Sequence, residues 1–157
     1  MFYGGRLLSH LSALDPEVHD FISLRKLNRN LAILIDSDKR NAADSINPTK
    51  ERVVDEFGRS LAWVTAGKEI ENYIPVEMIE SAISDMNRSS FDGLVGSGQY
   101  ENVLEFRKKE NPSKSWIADK IKVAKKICES APDLSVLDLQ EKVEALVKFI
   151  RKANDPK

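Results

Sequence analysis

Apolar and polar positions alternate along this chain in blocks, and the blocks set the order of elements. Phe2-Tyr3, then Gly4-Gly5, then Leu7, Leu8, Leu11 and Leu14 read as strand, tight turn and helix. Asp15-Pro16 restarts the chain with a cap and a helix-starting proline, and Val18, Phe21 and Ile22 follow at helical spacing. Leu31–Ile35 is a continuous apolar run, the pattern of a strand in a parallel sheet covered on both faces. Residues 39–46 form a polar loop. Asn47-Pro48 then caps a helix with Val53, Val54 and Phe57 on one side, which Gly58 ends. Leu61–Thr65 is the next short strand, and Pro75 opens a helix with Ile79, Ala82, Ile83 and Met86 as its stripe.

Residues 88–112 are polar, hold three glycines and read as a loop or insertion. A helix is expected from near Ser113, burying Ile117, Ile121, Ala124 and Cys128. A last helix has Asp138 and Glu141 at capping-box spacing and a stripe of Leu139, Val143, Leu146, Val147 and Ile150, with Asn154 and Pro156 ending it. Strands alternating with helices predict an α/β fold with parallel strands. Residues 1–87 would be its α/β core, and 113–157 a helical part of the same domain.

Composition changes this picture little. The 157 residues suit one domain. With 24 Lys+Arg against 25 Asp+Glu, the chain is not a generally basic nucleic-acid binder. Its single cysteine cannot form an internal disulfide, which points to a reducing cytoplasm. No apolar stretch approaches the roughly 20 residues of a membrane helix, and MFYGGRLLSH lacks the pattern of a secretory signal. Charge is uneven, however. Between Glu105 and Lys126, the basic residues Arg107, Lys108, Lys109, Lys114, Lys120, Lys122, Lys125 and Lys126 face only Glu105, Glu110 and Asp119. That segment could follow a phosphate backbone, or be an ordinary solvated face.

The candidate chemistry lies at strand ends, where open α/β sheets bind ligands. Asp36 and Asp38 follow the first apolar run, and i, i+2 residues of an extended segment point one way, roughly 7 Å apart. Such a pair suits a hard divalent cation or, equally, a solvated cap. Glu69 and Glu71 follow the second strand as another i, i+2 pair, expected in extended backbone. Two successive strands ending in acidic pairs favour a metal site over surface ion pairing with Lys39, Arg40 or Lys68. Lys120 falls at the edge of the inward arc of its helix. It either snorkels or reaches the acidic rim.

ILIDSDKR, WVTAGKEIENYIP and DKIKVAKKI together resemble the Toprim nuclease domain of the OLD (overcoming lysogenization defect) family, over about Phe2 to Lys126. The resemblance implies a Toprim-like, Rossmann-like parallel sheet and metal-dependent cleavage of DNA phosphodiesters. It implies that Asp36 and Asp38 are metal ligands, that Glu69 and Glu71 are the second acidic pair, and that Lys120 stabilises charge on the scissile phosphate. The cofactor would be Mg²⁺ or Mn²⁺ at a two-metal site. Partners would be DNA, contacted by Lys114, Lys122 and Lys125, and an ATPase domain or subunit N-terminal to this region. The full-length form would be a homo-oligomer.

One motif departs from the family. Toprim domains begin with a strand ending in a catalytic glutamate, and FYGG resembles instead the family's second strand. The sheet is therefore expected to be incomplete at its N-terminus and the metal site incomplete in this chain. Either Met1 is an internal methionine of a longer protein, or the chain is a non-catalytic remnant that serves as an interaction subunit for an ATPase. A phosphotransferase using Asp36 as nucleophile is disfavoured, because that pattern wants Thr or Val where Arg40 stands.

Overall fold

A computed structural model describes residues 30–155. The strand expected at Phe2-Tyr3, the two helices expected between residues 7 and 22, and the ending at Pro156 lie outside the described residues.

The architecture is α/β, with two small sheets. Strand β1 (Ile33–Ile35) pairs in parallel with β2 (Ala62–Val64), Ile33 opposite Ala62 and Ile35 opposite Val64. The crossover that a parallel pair requires is helix α1 (Pro48–Phe57). Asn47 starts it as expected, its side chain accepting from Thr49 N at 2.8 Å. Gly58 ends it at φ 84°, a conformation that favours glycine. Val53, Val54 and Phe57 of α1 pack on Ile35 and Ala62 to form the smaller core. Leu34 points to the opposite face and is 46 % exposed, so the described residues cover one face of this sheet and not two.

Residues 88–112, expected as a loop or insertion, contain regular strands. Strands β3 (Phe91–Leu94), β4 (Glu105–Lys108) and β5 (Asn111–Ile117) build an antiparallel sheet in the order β3-β4-β5. Its strands are short, bulged near Gly93 and Lys108 and polar on one side, so the apolar signal is weak. Helix α2 (Val76–Met86) packs Ile79, Ala82 and Ile83 against Phe106 of β4, the preceding Val103 and Leu104, and Val123. This is the larger core.

The helix expected from Ser113 is instead strand β5 followed by α3 (Lys120–Ile127). Pro112 is tolerated because β5 is an edge strand. Asp119 caps α3, its carboxylate accepting from Ile121 N and Lys122 N at 3.0 and 3.1 Å. That start turns the inward face to Val123 and Ile127. Ile117, Ile121, Ala124 and Cys128 are exposed, contrary to the expected stripe. Helix α4 (Leu139–Asn154) forms where expected, yet none of its residues is buried. Asp138 makes no side-chain cap to the helix. Its carboxylate accepts a hydrogen bond from the Tyr73 hydroxyl at 2.6 Å and lies 3.6 Å from Lys142 Nζ.

These packing faces separate two expectations for the helix around residue 121. Ile83→Ala should destabilise the protein by about 2–5 kcal/mol in urea unfolding. Ile121→Ala, at a side chain 68 % exposed, should change stability by less than about 0.5 kcal/mol.

Candidate functional site

The rim beyond β1 and β2 is joined by buried hydrogen bonds. Ser37, between the two aspartates, is 2 % exposed. Its N–H donates to Thr65 Oγ1 at 2.8 Å, and its hydroxyl donates to the Gly67 carbonyl at 2.6 Å. Thr65 Oγ1 donates to the same carbonyl at 2.9 Å. Asp38 N donates to the Lys68 carbonyl at 2.9 Å. The chain after β2 is thus held against the chain after β1.

This arrangement separates the two aspartates. Asp36 Oδ1 accepts from Ile70 N at 2.9 Å, facing the turn after β2. Asp38 adopts φ 54°, and its carboxylate forms an ion pair with Lys50 of α1. Lys50 is buried and also donates to the Asp36 carbonyl at 2.6 Å. A lysine one turn into a surface helix is an ordinary solvated residue by pattern, so only tertiary structure shows that it holds the segment containing both aspartates.

The second acidic pair is not extended. Glu69 is, at φ −132° and ψ 171°, but Ile70–Tyr73 is a 3₁₀ turn. Asn72 stabilises that turn. Its Oδ1 accepts from Glu69 N at 2.9 Å, and its Nδ2 donates to the carbonyls of Gly98 and Glu101 at 3.1 and 3.0 Å. Gly67 is required by close approach. A Cβ there would lie 2.5 Å from Asn72 Cβ and 3.0 Å from the Gln99 carbonyl oxygen.

The turn delivers both glutamates to one cation. Lys120 Nζ lies 2.7 Å from Glu69 Oε2 and 3.0 Å from Glu71 Oε1. Lys120 is the first residue of α3, a position that aims its side chain back over the helix start. Burial works against its charge, but the hydrogen bonds to Glu69 and Glu71 outweigh that and hold its pKa above the usual lysine value. Asp36 is shifted upward. Burial is the largest cause, opposed by the Ile70 N–H and reinforced by the fields of Glu71 and Glu69. Glu71 Oε2 is buried and has no hydrogen-bond partner, the kind of atom that asks for an explanation.

Three carboxylates and one ammonium therefore meet at the rim. Hard oxygen donors of this kind suit Mg²⁺ or Mn²⁺, and the buried Glu71 Oε2, which has no hydrogen-bond partner, fits such a donor set. Among the described residues no group of three or more His, Cys, Asp or Glu is already spaced as a metal site. Asp38 makes its ion pair with Lys50. Lys114 on β5 stands 5.6 Å over the Trp116 ring, away from the carboxylates in sequence and in partners. Lys122 and Lys125 are exposed on α3. Missed by pattern were Lys50, Ser37, Thr65, Asn72 and Tyr73. Of these, Ser37 carried the one available signal, a small hydroxyl between two charges at a strand end.

Because Asp36 titrates higher in the folded than in the unfolded chain, its protonated form adds stability. That contribution is complete below the ordinary value of 3.8 and is lost as pH rises through the shifted one. Asp36→Asn keeps an acceptor for Ile70 N and removes the charge. It should raise the melting temperature at pH 7, with the gain fading as pH falls toward 4. Thermal scans across pH without divalent metal measure it.

No protein-family model, curated protein or solved structure matches this chain.

Proposed function

We propose that this chain is the Toprim-like catalytic part of an OLD-type DNA endonuclease that hydrolyses phosphodiesters with Mg²⁺ or Mn²⁺ in the cytoplasm. The observation that carries this reading is the meeting of Lys120 with Glu69 and Glu71 beside Asp36, with Glu71 Oε2 buried and unpartnered. Nothing in local sequence requires a lysine from a helix some 50 residues later to seek that turn.

Asp36, Glu69 and Glu71 would hold the cation, and the bound metal would supply a polarised phosphate and a water acidic enough to attack it. The protein's own contribution follows from the geometry. Ser37, Thr65 and Lys50 fix the backbone that carries Asp36, so its carboxylate does not have to be ordered when substrate arrives. Lys120 bridges Glu69 and Glu71 and offsets one of their two charges. Released from them, its ammonium could turn to the phosphate oxygens, where charge develops during cleavage. Exposed Lys114, Lys122 and Lys125 would contact the DNA backbone, with an ATPase as the partner that presents DNA.

A second reading, a non-catalytic remnant that pairs with an ATPase, is favoured by one observation. The bridge from Lys120 already gives one oxygen of each glutamate a cationic partner. The two readings part in a plasmid-nicking assay. The nuclease reading expects Mg²⁺- or Mn²⁺-dependent nicking, with Asp36→Ala and Lys120→Ala each reducing the rate by about 100-fold or more. It also expects Mn²⁺ to raise the melting temperature of the native chain and not of Glu71→Gln. Metal-dependent nicking left intact by both alanine variants overturns the assigned site. Absence of both nicking and metal stabilisation supports the remnant.

A further inference from the structure

Resting on the reading above, in which Asp36, Glu69 and Glu71 hold a divalent cation, we propose that Lys50 serves Asp38 in place of a second metal ion. The rim then takes up one divalent cation, where the family resemblance implies two, and Asp38 is not among its ligands.

Asp38 is turned and pinned. At φ 54° it adopts the left-handed conformation that aspartate tolerates better than most residues. Its N–H donates to the Lys68 carbonyl at 2.9 Å, and the next N–H, of Lys39, donates to Ser37 Oγ at 3.2 Å. Held on both sides, Asp38 gives its carboxylate to Lys50, while the carboxylate of Asp36 accepts from Ile70 N. The two aspartates thus serve different partners.

Lys50 occupies a poor place for an uncompensated charge. It is the third residue of α1, at the positive end of the helix dipole, where a cation is disfavoured. Its side chain is only 9 % exposed. Two acceptors offset these costs, the Asp38 carboxylate and the Asp36 carbonyl at 2.6 Å. A divalent cation on Asp38 would take the charged acceptor away. It would leave a buried ammonium with a neutral carbonyl and a new positive charge beside it.

Lys120 is the contrast that decides the count. It too begins a helix and bridges carboxylates, but its side chain is 53 % exposed. Its ammonium can turn to water when a cation arrives among Glu69 and Glu71. Lys50 has no comparable exit. The carboxylates that Lys120 bridges can therefore be given up to a metal, and the one that Lys50 holds is retained. Lys50 is a positioning residue in this account, since it acts on the cation's surroundings through Asp36 and Asp38.

Mn²⁺ titration of the metal-free full chain, followed by calorimetry and by the electron paramagnetic resonance of free Mn²⁺, tests the proposal. One tight Mn²⁺ per chain is expected. Asp38→Asn should bind it within about threefold of the native affinity, whereas Asp36→Asn should weaken it at least about 10-fold. Lys50→Met removes the ammonium and keeps much of the stem. It should gain a second Mn²⁺, and adding Asp38→Asn should return the count to one. Two Mn²⁺ on the native chain overturn this inference and leave the metal reading standing. So does loss of binding in Asp38→Asn equal to that in Asp36→Asn, and so does a cooperatively melting Lys50→Met that still binds one. If Lys50→Met does not fold, the native count and Asp38→Asn decide the matter. A native chain that binds no Mn²⁺ overturns the metal reading and this inference together.

Discussion

The carbonyl of Gly67 is the fixed point of this rim. It accepts from both Ser37 and Thr65, and the Ser37 backbone in turn donates to Thr65. Three short bonds thus lock the exits of two parallel strands together in a place with little solvent. An unmade bond there would leave a buried polar group and cost about 1–3 kcal/mol. The constraint propagates outward. With residue 67 held, the 3₁₀ turn at Ile70–Tyr73 has one place to sit, and Asp36 accepts its first N–H. Glu71 and Glu69 are then delivered to Lys120. The same turn is seated by Asn72 on the carbonyls of Gly98 and Glu101, so it joins the small parallel sheet to the larger core.

Electrostatics at the rim follow from that scaffold. Burial, and after it the fields of Glu71 and Glu69, raise the cost of charge on Asp36. Lys120 offsets part of the cost by bridging the two glutamates. The ion pair is half open to solvent, so its own contribution to stability is small. A cation arriving among those carboxylates would compete with this lysine for the same oxygens. Ligand entry and lysine release would be one event.

Legibility differed from element to element for physical reasons. Strands β1 and β2, helix α1 with its Asn47 and Gly58 ends, and the stripe of α2 could all be read, because burial and capping there agree with local pattern. Pattern also placed the acidic residues at strand exits, where parallel topology brings Asp36, Glu69 and Glu71 together but not Asp38. The antiparallel sheet was hidden because β5 is an exposed edge, and its Asn-Pro start looks like the beginning of a helix. The inward face of α3 was misread by the same shift in its starting point: moving the first turn to Lys120 turns Val123 inward and Ile121 out. The extended reading of Glu69 and Glu71 failed because Asn72 closes the turn through its side chain, a non-local seat that pattern does not encode. Lys50 could not be assigned from its spacing either, since its role depends on the carbonyl of Asp36 fourteen residues earlier.

Helix α4 shows where pattern and packing part most widely. The apolar stripe is real, and the helix forms over it, yet among the described residues the stripe is left open. Apolar periodicity reports that a face must be covered, and it is silent on whether the cover lies in the same molecule. Here the hydrogen bond from Tyr73 to Asp138 does what core packing would otherwise do, fixing the start of the helix through one polar contact. Tyr73 can serve that role because it is buried, its ring packs edge-on against Trp63 at 5.6 Å, and its hydroxyl is the meeting point of donors from the second strand and an acceptor from the helix. A single phenol therefore connects the acidic rim to the open face. The residue just before α4 is thus linked to the turn bearing Glu71, so the helix and the rim share one mechanical connection.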